Sequence, residues 1–120
     1  MTVADYVVEG AAESFAASLF GEDKVGYFIA EFDSAELETA RRLVGQGLSV
    51  TGFNVIRSYI FGDALAERSS YTPLGGMPTY GGYAIGYHVV QAFLKRSGLS
   101  IEQATFVPAN EIVQGSGLFG

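Results

Sequence analysis

Residues 83–96 constrain this chain more than any other segment. At helical spacing, Tyr83, Tyr87, Val90 and Leu94 form one apolar stripe, and Ile85, Val89 and Phe93 form a second. A helix that is apolar on nearly every side has no face to give to water. It must lie at the centre of a fold, with other elements wrapped around it. Gly86 inside that helix costs about 1 kcal/mol relative to alanine, which predicts a close neighbour. In front of the helix, Ser69 to Gly82 carries Pro73, Pro78 and two Gly-Gly pairs. A connection of that length is long for a compact domain and reads as a packed or functional loop. The run from Ser69 to Leu94 holds no charge, but its glycines and prolines exclude a membrane span.

The remaining segments read as helices that can cover the central one. Thr2 and Asp5 have capping-box spacing, and Val3, Val7, Ala11, Phe15 and Leu19 then recur at helical spacing. They predict a helix over 3–20, stopped by Gly21. Lys24 to Phe32 fits a short strand or a helical turn equally well. Asp33 and Glu36 form another capping box, opening a helix through Leu37, Ala40, Leu43 and Val44 that ends near Gly45 or Gly47. Val50 to Phe61 mixes β-branched and aromatic residues and reads as a short helix followed by an extended Tyr59-Ile60-Phe61. Gly62-Asp63 is a turn, with a weak helix at 64–68 after it. Gly98 stops the central helix, Ser100 and Gln103 cap the next turn, and Pro108 starts a last helix to about Gln114. The fold class is mainly α: a single compact domain over residues 1–120, with about five helices.

Charge and composition narrow the function. The net charge is −6, and the seven basic residues are scattered, with only Arg41-Arg42 and Lys95-Arg96 adjacent. That argues against nucleic acid as a partner. The first residues lack the basic and apolar regions of a signal peptide, and there are no cysteines. Both fit a cytoplasmic protein without disulfides.

Two stretches carry a family resemblance. One is Glu9-Gly10-Ala11-Ala12-Glu13-Ser14-Phe15-Ala16. The other is Met77-Pro78-Thr79-Tyr80-Gly81-Gly82-Tyr83-Ala84-Ile85-Gly86-Tyr87-His88-Val89-Val90. Together with Glu111-Ile112-Val113-Gln114-Gly115-Ser116-Gly117, they resemble the C-terminal half of a bacterial family of uncharacterised proteins predicted to be zinc-dependent proteases. In that family an H-E-x-x-H helix precedes the helix with the Glu-Gly-x-Ala phrase. The resemblance implies the C-terminal part of a zincin-like fold of the gluzincin type, with Glu9 as the third zinc ligand and peptide as substrate. The two histidines and the general-base glutamate would lie upstream of Met1. With one histidine and no cysteine, this chain alone is expected not to hold the implied zinc and to be catalytically incomplete.

Each candidate residue has two readings. Asp5, Glu9 and Glu13 share a helix face at i, i+4 and i+8. They are either a solvated acidic face, or Glu9 with Glu13 points into a cleft as metal ligands. His88 is either a boundary histidine with one nitrogen hydrogen-bonded, or a donor to the oxyanion that develops on an attacked carbonyl, with Tyr83 and Tyr87 as the other candidates. Tyr87 and His88 point about 100° apart on a helix, so at most one of them faces a given atom. The loop Gly75 to Gly82 could pass for a phosphate cradle, but it lacks the Gly-Lys-Ser/Thr ending. The alternative function is a non-catalytic interaction module that retains the cleft. Its exposed apolar surface would favour a homo-oligomer, a missing N-terminal segment or a partner chain.

Overall fold

The computed structural model describes residues 1–9 and 34–119, apart from the side chain of Tyr83. Its helices are α1 (residues 3–9), α2 (Ser34–Gln46), α3 (Phe53–Phe61), a 3-10 turn (Asp63–Leu65), α4 (Ala66–Ser69), α5 (Gly81–Ser97), α6 (Ile101–Ala104) and α7 (Ala109–Ser116). Among the described residues there is no strand, only an isolated antiparallel bridge between Thr2 and Thr51. The expected continuation of the first helix to residue 20, the stop at Gly21 and the ambiguous segment 24–32 lie outside the described residues.

The chain starts with a fully satisfied helix end. Thr2 N–H donates to Asp5 Oδ2 at 2.7 Å, and Asp5 N–H donates to Thr2 Oγ1 at 3.2 Å. The amides between them reach across to the α2–α3 connection: Val3 N–H donates to Val50 O and Ala4 N–H to Leu48 O. These are donors that no helix can satisfy by itself. They fix α1 against the turn after α2, so that Val3, Val7 and Val8 are buried.

At the centre lies α5, packed against α2, α3 and α7. Ile85, Val89, Val90 and Phe93 of α5 join Val44 of α2, Ile56 and Ile60 of α3, and Ile112 and Val113 of α7 in one core cluster. Burying each such side chain stabilises the fold by roughly 1.5–3 kcal/mol. The helix begins at Gly81, two residues before the first apolar residue of its pattern, because the backbones of α3 and α5 meet there. A Cβ on Gly82 would stand 2.6 Å from Tyr59 O and 2.7 Å from Ile60 Cα. Gly86 is buried in the middle of the helix. Gly98, at φ 75°, closes the helix through its N–H to Leu94 O at 3.0 Å.

One expectation is corrected. Tyr59-Ile60-Phe61 is not extended; α3 runs unbroken to Phe61. Ile56, Tyr59 and Ile60 fall on one helical face and are all buried, and packing against α5 outweighs the β-preference of these residue types. The capping box at Ser100 is present in both directions, with Ser100 N–H to Gln103 Oε1 at 2.9 Å and Gln103 N–H to Ser100 Oγ at 3.2 Å. Pro108 caps α7 as expected.

The glycine-rich loop is tied down by Asp63. Its carboxylate accepts from the N–H groups of Leu74 (3.0 Å), Gly75 (3.2 Å) and Gly76 (2.6 Å). Met77 O accepts from Asp63 N–H, and Phe61 O accepts from Tyr80 N–H. Beside them Gly62 sits at φ 88°, with the space for a Cβ filled by Pro78 O at 2.3 Å. The backbone amides that would cradle a phosphate already hold a carboxylate.

The crossing of α3 and α5 allows a direct test. Gly82→Ala forces the two backbones apart and is expected to lower stability by about 2 kcal/mol, read as a drop in the urea midpoint. No change would mean that the helices are not in backbone contact there.

Candidate functional site

Glu9 is exposed at the C-terminal end of the described part of α1. It stands, with Asp5, at the edge of a groove of about 430 Å³ between α1, α5, α6 and α7. The walls are apolar: Val8, Val90, Ile101, Val107 and Ile112. The two carboxylates are one helical turn apart, and Asp5 is engaged with both the amide and the hydroxyl of Thr2. Glu9 is the more exposed of the two. Glu13 lies outside the described residues.

His88 is on the other side of α5. It lines a second groove, of about 480 Å³, with Leu37, Glu38 and Arg41 of α2, Ile85, Gln91 and Lys95 of α5, and Leu118. Helix geometry explains the separation. His88 and Val90, which lines the Glu9 groove, are two residues apart and so point about 160° away from each other around the axis. The structure therefore does not bring His88 and Glu9 together. Tyr87 is half-buried, with its ring edge-on to the His88 ring at 5.9 Å and 88°. Tyr83 is helical in backbone and stands at i−7 from Val90, the same side of the helix by register.

The titratable groups differ accordingly. His88 has its pKa pushed below the usual imidazole value by burial. On the same groove, Glu38 accepts from Arg41 Nε at 2.8 Å and pairs with Arg41 Nη2. This hydrogen bonding lowers the Glu38 pKa and raises that of Arg41.

A catalytic zinc needs about three protein ligands of the His, Glu or Cys kind in convergent geometry. Among the described residues no group of three or more His, Cys, Asp or Glu stands close enough to hold a metal. The sole imidazole of the chain is on the wrong flank of α5 to join Glu9. The residues described do not fit zinc by themselves, and no chemical step through a metal follows from them. Among the described residues, no helix is long and apolar enough to cross a membrane.

Sequence reasoning located Glu9, Tyr87 and His88 on the correct elements but not their arrangement about α5. It passed over Glu38, Arg41 and Lys95, which share the His88 groove. The available signal was the register of Lys95, seven residues after His88 and therefore on the same helix face.

Residues 1–114 match the family described as "Predicted Zn-dependent protease (DUF2268)". The chain is 38% identical over 120 residues to the uncharacterized protein YjfC of Bacillus subtilis (strain 168), a match covering 99% of this chain and 40% of that protein. The chain thus spans about 40% of the length of the curated relative it matches. No solved structure matches it.

The position of His88 gives a pH dependence. Its folded pKa lies below its unfolded value, so the unfolded chain binds the proton more tightly. The stability associated with this group is complete above about pH 6.5 and declines as the pH falls through the window beneath it. Urea denaturation at pH 7.5 and pH 5.5 is expected to show a smaller acid loss in His88→Gln than in the parent. An equal loss in both would show that His88 is fully solvated.

Proposed function

The chain belongs to the predicted Zn-dependent protease family, and from that premise we propose that it is the part of a metallopeptidase that supplies one carboxylate ligand and the substrate-facing wall, catalytically incomplete by itself. The observation that carries this reading is the position of Glu9. It stands at the mouth of an apolar groove, on the helix whose sequence phrase carries the family resemblance. Glu13, four residues later in the sequence, is the second carboxylate of that phrase. The imidazole ligands that zinc chemistry of this kind requires come, on this reading, from an H-E-x-x-H segment outside these 120 residues.

In that assembly the groove walls Val8, Val90, Ile101, Val107 and Ile112 seat an apolar side chain of a peptide substrate. Tyr83 and Tyr87 lie on or near the Val90 side of α5 by register and are the candidates to donate to a developing oxyanion. His88 faces the other groove and takes no part at Glu9. The whole protein's substrate and activity are part of this proposal.

A second reading has its own observation. Phe53 and Val55, at 63% and 48% exposure, stand near the N-terminal bridge, where Met1 is 59% exposed. Apolar surface of this kind suits a partner chain or a second copy, so a non-catalytic module would use it in place of catalysis. A discrete, tight dimer in light scattering, with no zinc under any condition, would favour this reading over the first.

Zinc stoichiometry tests the main proposal. After gel filtration, the 120 residues alone are expected to retain no stoichiometric zinc by mass spectrometry of the metal. Joined to an H-E-x-x-H segment from a related protein, they are expected to retain one zinc per chain. Glu9→Gln in the joined protein should weaken retention by roughly tenfold or more. Stoichiometric zinc on the short chain, or retention indifferent to Glu9→Gln, would overturn the reading.

A further inference from the structure

The groove on the His88 flank of α5 is not used by the proposed chemistry, and its composition is specific. Its volume of about 480 Å³ lies in the range of about 300–1,000 Å³ typical of small-molecule sites. Leu37, Ile85, Ala92 and Leu118 provide the apolar surface. Among the described residues at its edge the acid is Glu38, which is neutralised by Arg41, whose Nη1 donates to Leu118 O at 3.1 Å. That pair is closed and forms a wall.

What remains open is donor chemistry. His88, Gln91 and Lys95 follow one another at i, i+3 and i+7 along α5, a row about 10 Å long. Among the described residues, Lys95 has no ion-pair partner, and His88 has the Tyr87 ring as a neighbour but no hydrogen-bond partner. A half-buried imidazole, an amide and an ammonium thus border an apolar floor, and among the described residues of the groove no free carboxylate answers them. We propose that this groove is a second binding site, independent of the Glu9 groove, for a small amphipathic carboxylate. Its head group is held by Lys95 with Gln91 and His88 donating, and its apolar body lies on Leu37, Ile85, Ala92 and Leu118.

Charge and shape both select the ligand. A neutral alkyl alcohol of the same length gains the floor but not the ammonium. A cationic amine gains the floor and meets Lys95 with like charge. The proposal makes no use of zinc or of an upstream segment, so it stands or falls separately from the metallopeptidase reading.

Isothermal titration of the 120-residue chain with octanoate, octanol and octylamine at pH 7 tests it. Octanoate is expected to bind, octanol at least fivefold more weakly, and octylamine not at all. Lys95→Gln, at an exposed position, should weaken octanoate at least fivefold and leave octanol unchanged. Ala92→Phe, which fills the groove, should abolish octanoate binding while the circular dichroism of the helices is retained. Equal binding of octanoate and octanol, no binding of octanoate at millimolar concentration, or indifference to both substitutions would overturn the proposal. So would binding of an N-acetylated Leu-Leu dipeptide with a free C-terminus but not of octanoate, which would assign the groove to a peptide terminus.

Discussion

The described helices are arranged around the need to hide α5. A seventeen-residue helix with apolar residues on most of its circumference cannot be covered by one neighbour. Here α2, α3 and α7 each take a side. The coverage is close enough that small residues are required at the contacts. Gly82 lets α3 approach, and a Cβ on Gly115 of α7 would come within 2.7 Å of the Phe93 ring. Close-packed contacts of this kind leave little freedom to slide. They fix which side chains of α5 emerge in which gap between the covering helices.

Among the described residues, two of those gaps are the grooves at Glu9 and His88, and their difference in character follows from the neighbours. Between α5 and α1 the neighbouring helix brings Asp5 and Glu9, so the rim is acidic. Between α5 and α2 the neighbour brings an acid and a base that neutralise each other, and α5 adds donors of its own. One helix therefore separates two environments of different electrostatic character. His88 and Glu9, both candidates for one cleft by sequence, line different grooves. The loop that delivers the chain into α5 is held by a single carboxylate, Asp63, through three successive amides. Hydrogen bonds to a charged group are among the stronger ones in proteins, each worth about 1.5–3 kcal/mol, which is how a segment so rich in glycine and proline keeps a defined path.

The sequence revealed the helices far better than their assembly. The reciprocal caps at Thr2–Asp5 and Ser100–Gln103, the stop at Gly98 and the start at Pro108 are local chemistry, decided within three or four residues. All four are present. The extended reading of Tyr59–Phe61 failed because these residues are β-formers by type, and their helical state is set by burial against α5, a partner more than twenty residues away in sequence. Asp63 was legible as a turn but not as an anchor, since its partners lie eleven to thirteen residues downstream. The candidate site shows the same division. Residue types were readable, whereas the side of α5 on which each lies relative to its neighbours is a tertiary fact. The expectation of an incomplete zinc set rests on one histidine and no cysteine in the sequence, a matter of inventory rather than of geometry.

Membership of the predicted Zn-dependent protease family and the lone imidazole meet in one physical claim: Glu9 and His88 are held apart by the body of α5. Dipolar broadening between nitroxide labels placed at positions 9 and 88 measures that most directly. A helix with its side chains is about 10–12 Å across, and the labels project outward from opposite sides of it. The account predicts a spectrum equal to the sum of the two singly labelled proteins. Strong broadening, as from labels sharing one cleft, would contradict it.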